Sequence, residues 1–134
     1  MIVADANLLA YLLMPGEHTE AAEAVLLHDS LWTAPRLWRS ELRSVVHQYV
    51  RRGKLTLPRA VAVLADAELV IGGRDAEADS GAVLELASRS QCSTYDCEYV
   101  ALAEELGIPL VTLDREILRA FPATAVSPAS FVKR

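Results

Sequence analysis

An α/β fold is predicted for this chain: a mainly parallel sheet with helices on both faces. Two observations carry that prediction. Short apolar runs alternate along the chain with segments of helical periodicity, the pattern of β-α-β units. Several of those runs end on a polar residue that leads straight into a helix, as strands buried on both faces do.

Met1 to Ala4 is the first strand. A short helix runs from about Asn7 to Leu13 and stops at Met14-Pro15-Gly16. Thr19 precedes a helix that includes Ala21 to Leu27. Leu31 to Ala34 is a second strand, closed by Pro35. Arg36 to Arg52 is a long helix, and Gly53 suits a left-handed cap at its C-terminus. Leu57 to Ala67 is a helix with Pro58 in its first turn. Leu69-Val70-Ile71 before Gly72-Gly73 reads as a strand and a turn. Ala76 to Ser88 is a helix interrupted at Gly81, and Tyr95 to Leu106 is a helix stopped by Gly107. Pro109 to Leu113 is the clearest later strand. A short helix from Asp114 to Arg119 and a last strand from Ala123 to Val126 complete the reading.

The 134 residues suit one domain spanning 1–134 with a real core. Just over half are apolar and under a quarter charged, which is a globular composition. No apolar stretch approaches the ~18 residues of a membrane span. Asp5 interrupts the apolar start and no basic leader precedes it, so a soluble cytoplasmic protein with no membrane association is expected. Cys92 and Cys97 are too few for a disulfide scaffold or a closed zinc site.

The net charge is −5, yet its distribution is uneven. Arg36, Arg39, Arg43, Arg51, Arg52 and Lys54 stand against one acid, Glu41, between positions 36 and 54. That stretch carries +5 and the remainder −10. A local basic surface can steer a phosphate backbone to one face, and equally can dock an acidic protein. Arg39, Arg43 and Arg51 are the candidate contacts to such a backbone.

Four acids stand where a site would form. In open α/β sheets, ligands bind outside the carboxyl ends of the strands. Asp5 follows the first strand, Asp114 follows the strand at 109–113, and Asp96 lies in the first turn of its helix. Each also has a structural use, as a helix cap or a partner of the helix dipole. Glu41 is harder to explain that way. It lies on the margin of the apolar stripe Trp38, Leu42, Val45, Tyr49, and an acid near a core is normally paired or ligating. Gathered carboxylates repel by roughly 4 kcal/mol per pair at 4 Å and a dielectric of 20. Protons or a hard divalent cation relieve that repulsion, and oxygen ligands favour Mg²⁺ or Mn²⁺. Asn7, Thr94 and Thr112 each lie two positions from an Asp and are candidates to hydrogen-bond it. Gly-rich phosphate loops, a nucleophilic Ser elbow and metal-ligand spacing of His18, His28 and His47 are all missing.

Four segments taken together resemble the PIN-domain ribonucleases, and among them the VapC-type toxins of type II toxin–antitoxin pairs. They are Ile2-Val3-Ala4-Asp5-Ala6-Asn7, Glu41-Leu42-Arg43-Ser44-Val45, Thr94 to Glu104, and Pro109 to Asp114. The resemblance runs from Met1 to about Val126. It implies a three-layer α/β/α sandwich, a Mg²⁺- or Mn²⁺-dependent cut of single-stranded RNA, a cognate antitoxin and a homodimer. It also implies that Asp5, Glu41, Asp96 and Asp114 are the catalytic and metal-binding acids, with Thr112 as the accompanying hydroxyl. The acidic pocket alone leaves rivals: a receiver-like or phosphatase-like domain, or a non-catalytic scaffold whose acids only cap helices. A receiver would want a lysine after a late strand, and only Lys54 and Lys133 exist. A haloacid-dehalogenase-like phosphatase would want Asp where Asn7 stands.

Overall fold

A computed structural model describes residues 1–134. Its centre is a four-stranded, wholly parallel sheet in the order β2-β1-β3-β4. The strands are β1 (Ile2–Ala4), β2 (Trp32–Thr33), β3 (Leu110–Val111) and β4 (Ala125–Val126). Every one of their residues is buried, which is why they read as continuous apolar runs. Val3 pairs with Thr33 on one side and Leu110 on the other, so β1 is central.

The helices are α1 (Ala6–Leu13), α2 (Thr19–His28), α3 (Trp38–Arg51), α4 (Leu57–Ile71), α5 (Ser80–Ser88), α6 (Thr94–Leu106), α7 (Arg115–Ala120) and α8 (Pro128–Phe131). They enclose the sheet in a three-layer α/β/α arrangement: α1 packs on α2, α3 and α4, while α5 packs on α6, which lies against β1 and β3. One contiguous core of 34 buried residues runs through the layers, with Trp32, Trp38, Leu9, Leu42 and Leu102 among its fully buried members.

Two expected elements differ. Leu69-Val70-Ile71 is not a strand but the last turn of α4. Ala60, Val63, Ala67 and Ile71 are buried at intervals of three and four while Leu69 is 80 % exposed, so the helical period continues through the β-branched run. Gly72, at φ 58°, closes the helix in the left-handed conformation. The helix expected at Ala76 begins at Ser80 instead. Ala76 forms a short parallel bridge to Pro35, and Asp79 caps α5 by accepting from the Ala82 N–H at 2.9 Å. Gly81 therefore sits in a first turn and interrupts nothing. The apolar stripe of α3 is wider than expected: Val46 joins Trp38 and Leu42 in the core, and Val45 and Tyr49 pack against it partly buried. Helix α8, capped by Ser127, was not expected from the sequence.

Candidate active site

Asp5 leaves β1 and caps α1. Its Oδ1 accepts from the Leu8 N–H at 2.8 Å, and its Oδ2 accepts from the Thr112 hydroxyl at the end of β3. That hydroxyl is itself an acceptor, from the Asp114 N–H at 3.0 Å. Asp114 in turn caps α7, accepting from Glu116 N at 2.9 Å and Ile117 N at 3.1 Å. One short chain of bonds thus locks the ends of β1 and β3 together, through a threonine with no solvent exposure.

Helices bring the other two acids. Asp96 stands in the first turn of α6, fixed by its own backbone N–H, which donates to the Ser93 cap at 3.1 Å. Glu41 is half-buried in the first turn of α3. Its Oε1 accepts from the hydroxyl of the buried Tyr99 at 2.7 Å. The four expected acids meet around one cleft of about 240 Å³, lined also by Ala6, Asn7, Ser44, Val45, Tyr99 and Ile117.

Burial dominates the electrostatics of this cleft, and like charge adds to it. Asp5 is pushed up to about 6, first by burial and then by Asp114 and Glu41, against the bonds from Thr112 and Leu8. Burial also raises Glu41, helped by the charge of Asp96 and opposed by Tyr99. Asp96 is raised by burial and by Asp114. Like charge thus reaches Asp5 from Asp114 and Glu41, Glu41 from Asp96, and Asp96 from Asp114, linking the four acids around the cleft. No three His, Cys, Asp or Glu side chains converge into a ready-made metal site. The acids surround the cleft rather than pointing at one spot. Mg²⁺ tolerates such a setting because it retains several waters, and the donors in the cleft are oxygens without His or Cys.

The expected helpers separate. Thr112 bonds Asp5 directly. Asn7 lines the cleft and is exposed. Thr94 does not line it; it faces a neighbouring groove with Glu77 and Glu98, and Ser93 is the hydroxyl tied to the Asp96 backbone. Tyr99 is the site residue that sequence reasoning missed as such. Its position, three residues after Asp96 on α6, put it on the same helix face and was the available signal.

The basic stretch also sorts itself. Arg39 bonds Glu68 through Nε and Nη2 and Asp75 through Nη1, so its guanidinium is held by two acids of the fold. It lies over the Trp38 ring at 4.8 Å, and Trp38 Nε1 donates to the same Asp75. Arg36 pairs with Glu77. Arg43 and Arg51 are exposed, but Arg43 lies near enough to Glu68 to lower that acid's pKa.

Two strand ends, at Asp5 and Asp114, and two first helical turns, at Asp96 and Glu41, thus gather four acids around one cleft of a parallel α/β sheet. The chain belongs to the PIN-domain family, whose model matches residues 2–122. It is 32% identical over 128 residues to Ribonuclease VapC3 of Pyrobaculum aerophilum, covering 91% of this chain and 95% of that protein. Its fold is shared with the crystal structure of PAE2754 from the same organism, at a TM-score of 0.78 and 22% identity over 99% of this chain and 94% of the other. It is shared also with FitAcB from Neisseria gonorrhoeae, at 0.71 and 19% over 96% and 99%.

Proposed function

We propose that this chain is a divalent-metal-dependent endoribonuclease cutting single-stranded RNA, and that it serves as the toxin of a toxin–antitoxin pair. The observation that carries the reading is the ring of four acids in one cleft. Its support is kinship: a relative aligned over nearly its whole length is named a ribonuclease and a VapC protein.

Asp5, Asp96 and Asp114 would hold Mg²⁺ or Mn²⁺, with Glu41 completing the shell directly or through water. When bound, the ion supplies Lewis acidity, activating water and offsetting charge on the phosphate. The chain's own residues do the rest. Thr112 and the Leu8 N–H hold both oxygens of Asp5 in place. Tyr99 turns Glu41 towards the cleft. Asn7 and Ser44 are within the cleft wall to orient substrate or water. A cognate antitoxin and a homodimer belong to the same reading, with co-purification and sedimentation as their tests.

RNA cleavage with Mg²⁺, with Mn²⁺ and with EDTA tests the proposal, using wild type, Asp5→Asn and Asp96→Asn. The cap on α1 survives in Asp5→Asn, since Asn caps as well as Asp. Loss of metal-dependent cleavage with the fold retained supports the nuclease. Equal cleavage by wild type and both variants would instead leave the acids as caps of a non-catalytic scaffold.

A further inference from the structure

Resting on the ribonuclease reading, we infer that the RNA strand leaves the acid cleft along one defined face of α3, over Ser44 and Gln48 to Arg51 and Arg52. At about 100° per residue, Ser44, Gln48, Arg51 and Arg52 all project within about 80° of the direction of Glu41. Ser44 already lines the cleft with Glu41. All four are exposed. By the same geometry, Arg39 and Arg43 project about 160° away from Glu41, on the far side of the helix.

Ion pairing removes two of the other cations. Arg36 and Arg39 are held by Glu77, Glu68 and Asp75, while no carboxylate pairs with Arg43, Arg51 or Arg52. Of these three, Arg51 and Arg52 share the side of Glu41 and Arg43 does not. The turn at the C-terminal end of α3 is closed by its own backbone bonds. Gly53, at φ 71°, donates its N–H to Val50 O at 3.0 Å, and Lys54 N donates to Tyr49 O at 2.9 Å, the paired bonds of a Schellman motif. The acid cleft repels a polyanion, so cations further along this face, past the uncharged Ser44 and Gln48, are what let the backbone approach. Phosphate contacts of this kind position the strand and carry no base preference.

The test is fluorescence anisotropy with a short fluorescein-labelled oligouridylate, in EDTA so that nothing is cut. Wild type, Arg51→Gln/Arg52→Gln, Gln48→Ala and Arg43→Gln are compared across a salt series. The double variant should bind roughly tenfold more weakly, with the log–log salt slope reduced by about 0.7 for each lost phosphate contact. Gln48→Ala should weaken binding without changing that slope, and Arg43→Gln should bind as wild type. Wild-type affinity in the double variant, with only a lowered melting temperature, overturns the track and leaves those cations serving the dipole at the helix end. Weakened binding in Arg43→Gln alone places the strand on the opposite face and overturns it equally. If wild type cleaves RNA with metal while the double variant binds normally, only the track falls. If wild type neither binds nor cleaves, the ribonuclease reading falls with it.

Discussion

The Tyr99 hydroxyl on α6 donates to Glu41 Oε1 on α3 at 2.7 Å, joining residues 58 apart at the acid cleft. Tyr99 is buried and Glu41 half-buried. The bond stabilises the charged form of Glu41 and costs the tyrosine its own ionisation, whose pKa is raised by burial and by that carboxylate. Tyr99→Phe keeps the ring and removes only the donor. A single lost hydrogen bond to a charged group costs roughly 1.5–3 kcal/mol. The variant is expected to be less stable by an amount in that range, with a lower melting temperature, and RNA cleavage is expected to drop through kcat with KM little changed. Thermal melts and steady-state cleavage assays measure both.

The pH dependence of stability follows from Asp5. An acid whose folded pKa of about 6 exceeds its unfolded value binds its proton more tightly when folded. Its contribution is favourable at low pH and is lost as pH rises from about 4 to about 6. Above that window the penalty is about 3 kcal/mol, two pH units at 1.36 kcal/mol each. Asp5→Asn should therefore melt higher than wild type at pH 8 in EDTA, and the gap should close by pH 4. Melts across that range decide it; a gap independent of pH counts against the raised acid.

Thr112 should prove indispensable to the strand ends. Thr112→Val keeps the shape but removes the donor to Asp5 and the acceptor for the Asp114 N–H. Leaving buried partners unpaired costs roughly 1–3 kcal/mol each. Thr112→Ser keeps the hydroxyl and should recover most of the loss. Denaturant midpoints of the three proteins are the measurement.

Metal should stabilise the native state by relieving the ring of acids. At a hundredfold excess over Kd, binding to the folded form alone adds about 2.7 kcal/mol. In EDTA, Glu41→Gln should melt at or above wild type, because one member of the ring is neutral. With Mn²⁺ it should gain less than wild type gains. Equal shifts in the two proteins would remove Glu41 from the metal shell.

Arg39 should behave as a structural residue. Arg39→Met breaks its bonds to Glu68 and Asp75 and loosens α3 from α4. Both acids are held below their ordinary pKa by that guanidinium, against the effect of burial. A lowered melting temperature is expected, and the salt dependence of RNA binding should not change. Anisotropy over a salt series alongside the melts separates the two roles.

The sequence by itself determined the strand ends and the acids placed on them. Asp5 after β1 and Asp114 after β3 were legible because a buried parallel strand must be an apolar run, and its end must supply the next helix cap. Asp96 was legible from the first turn of α6, and Glu41 from its misfit on an apolar margin. Tertiary structure alone decided what those acids touch beyond their own helix ends. The Tyr99–Glu41 bond and the grip of Glu68 and Asp75 on Arg39 join residues 29 to 58 apart, and no local period encodes such partners. The same holds for Leu69-Val70-Ile71, a strand by its β-branched composition and a helix in the fold. Burying Ile71 beside Ala67 required the helical turn to continue, and packing outweighed a propensity difference of about 1 kcal/mol or less.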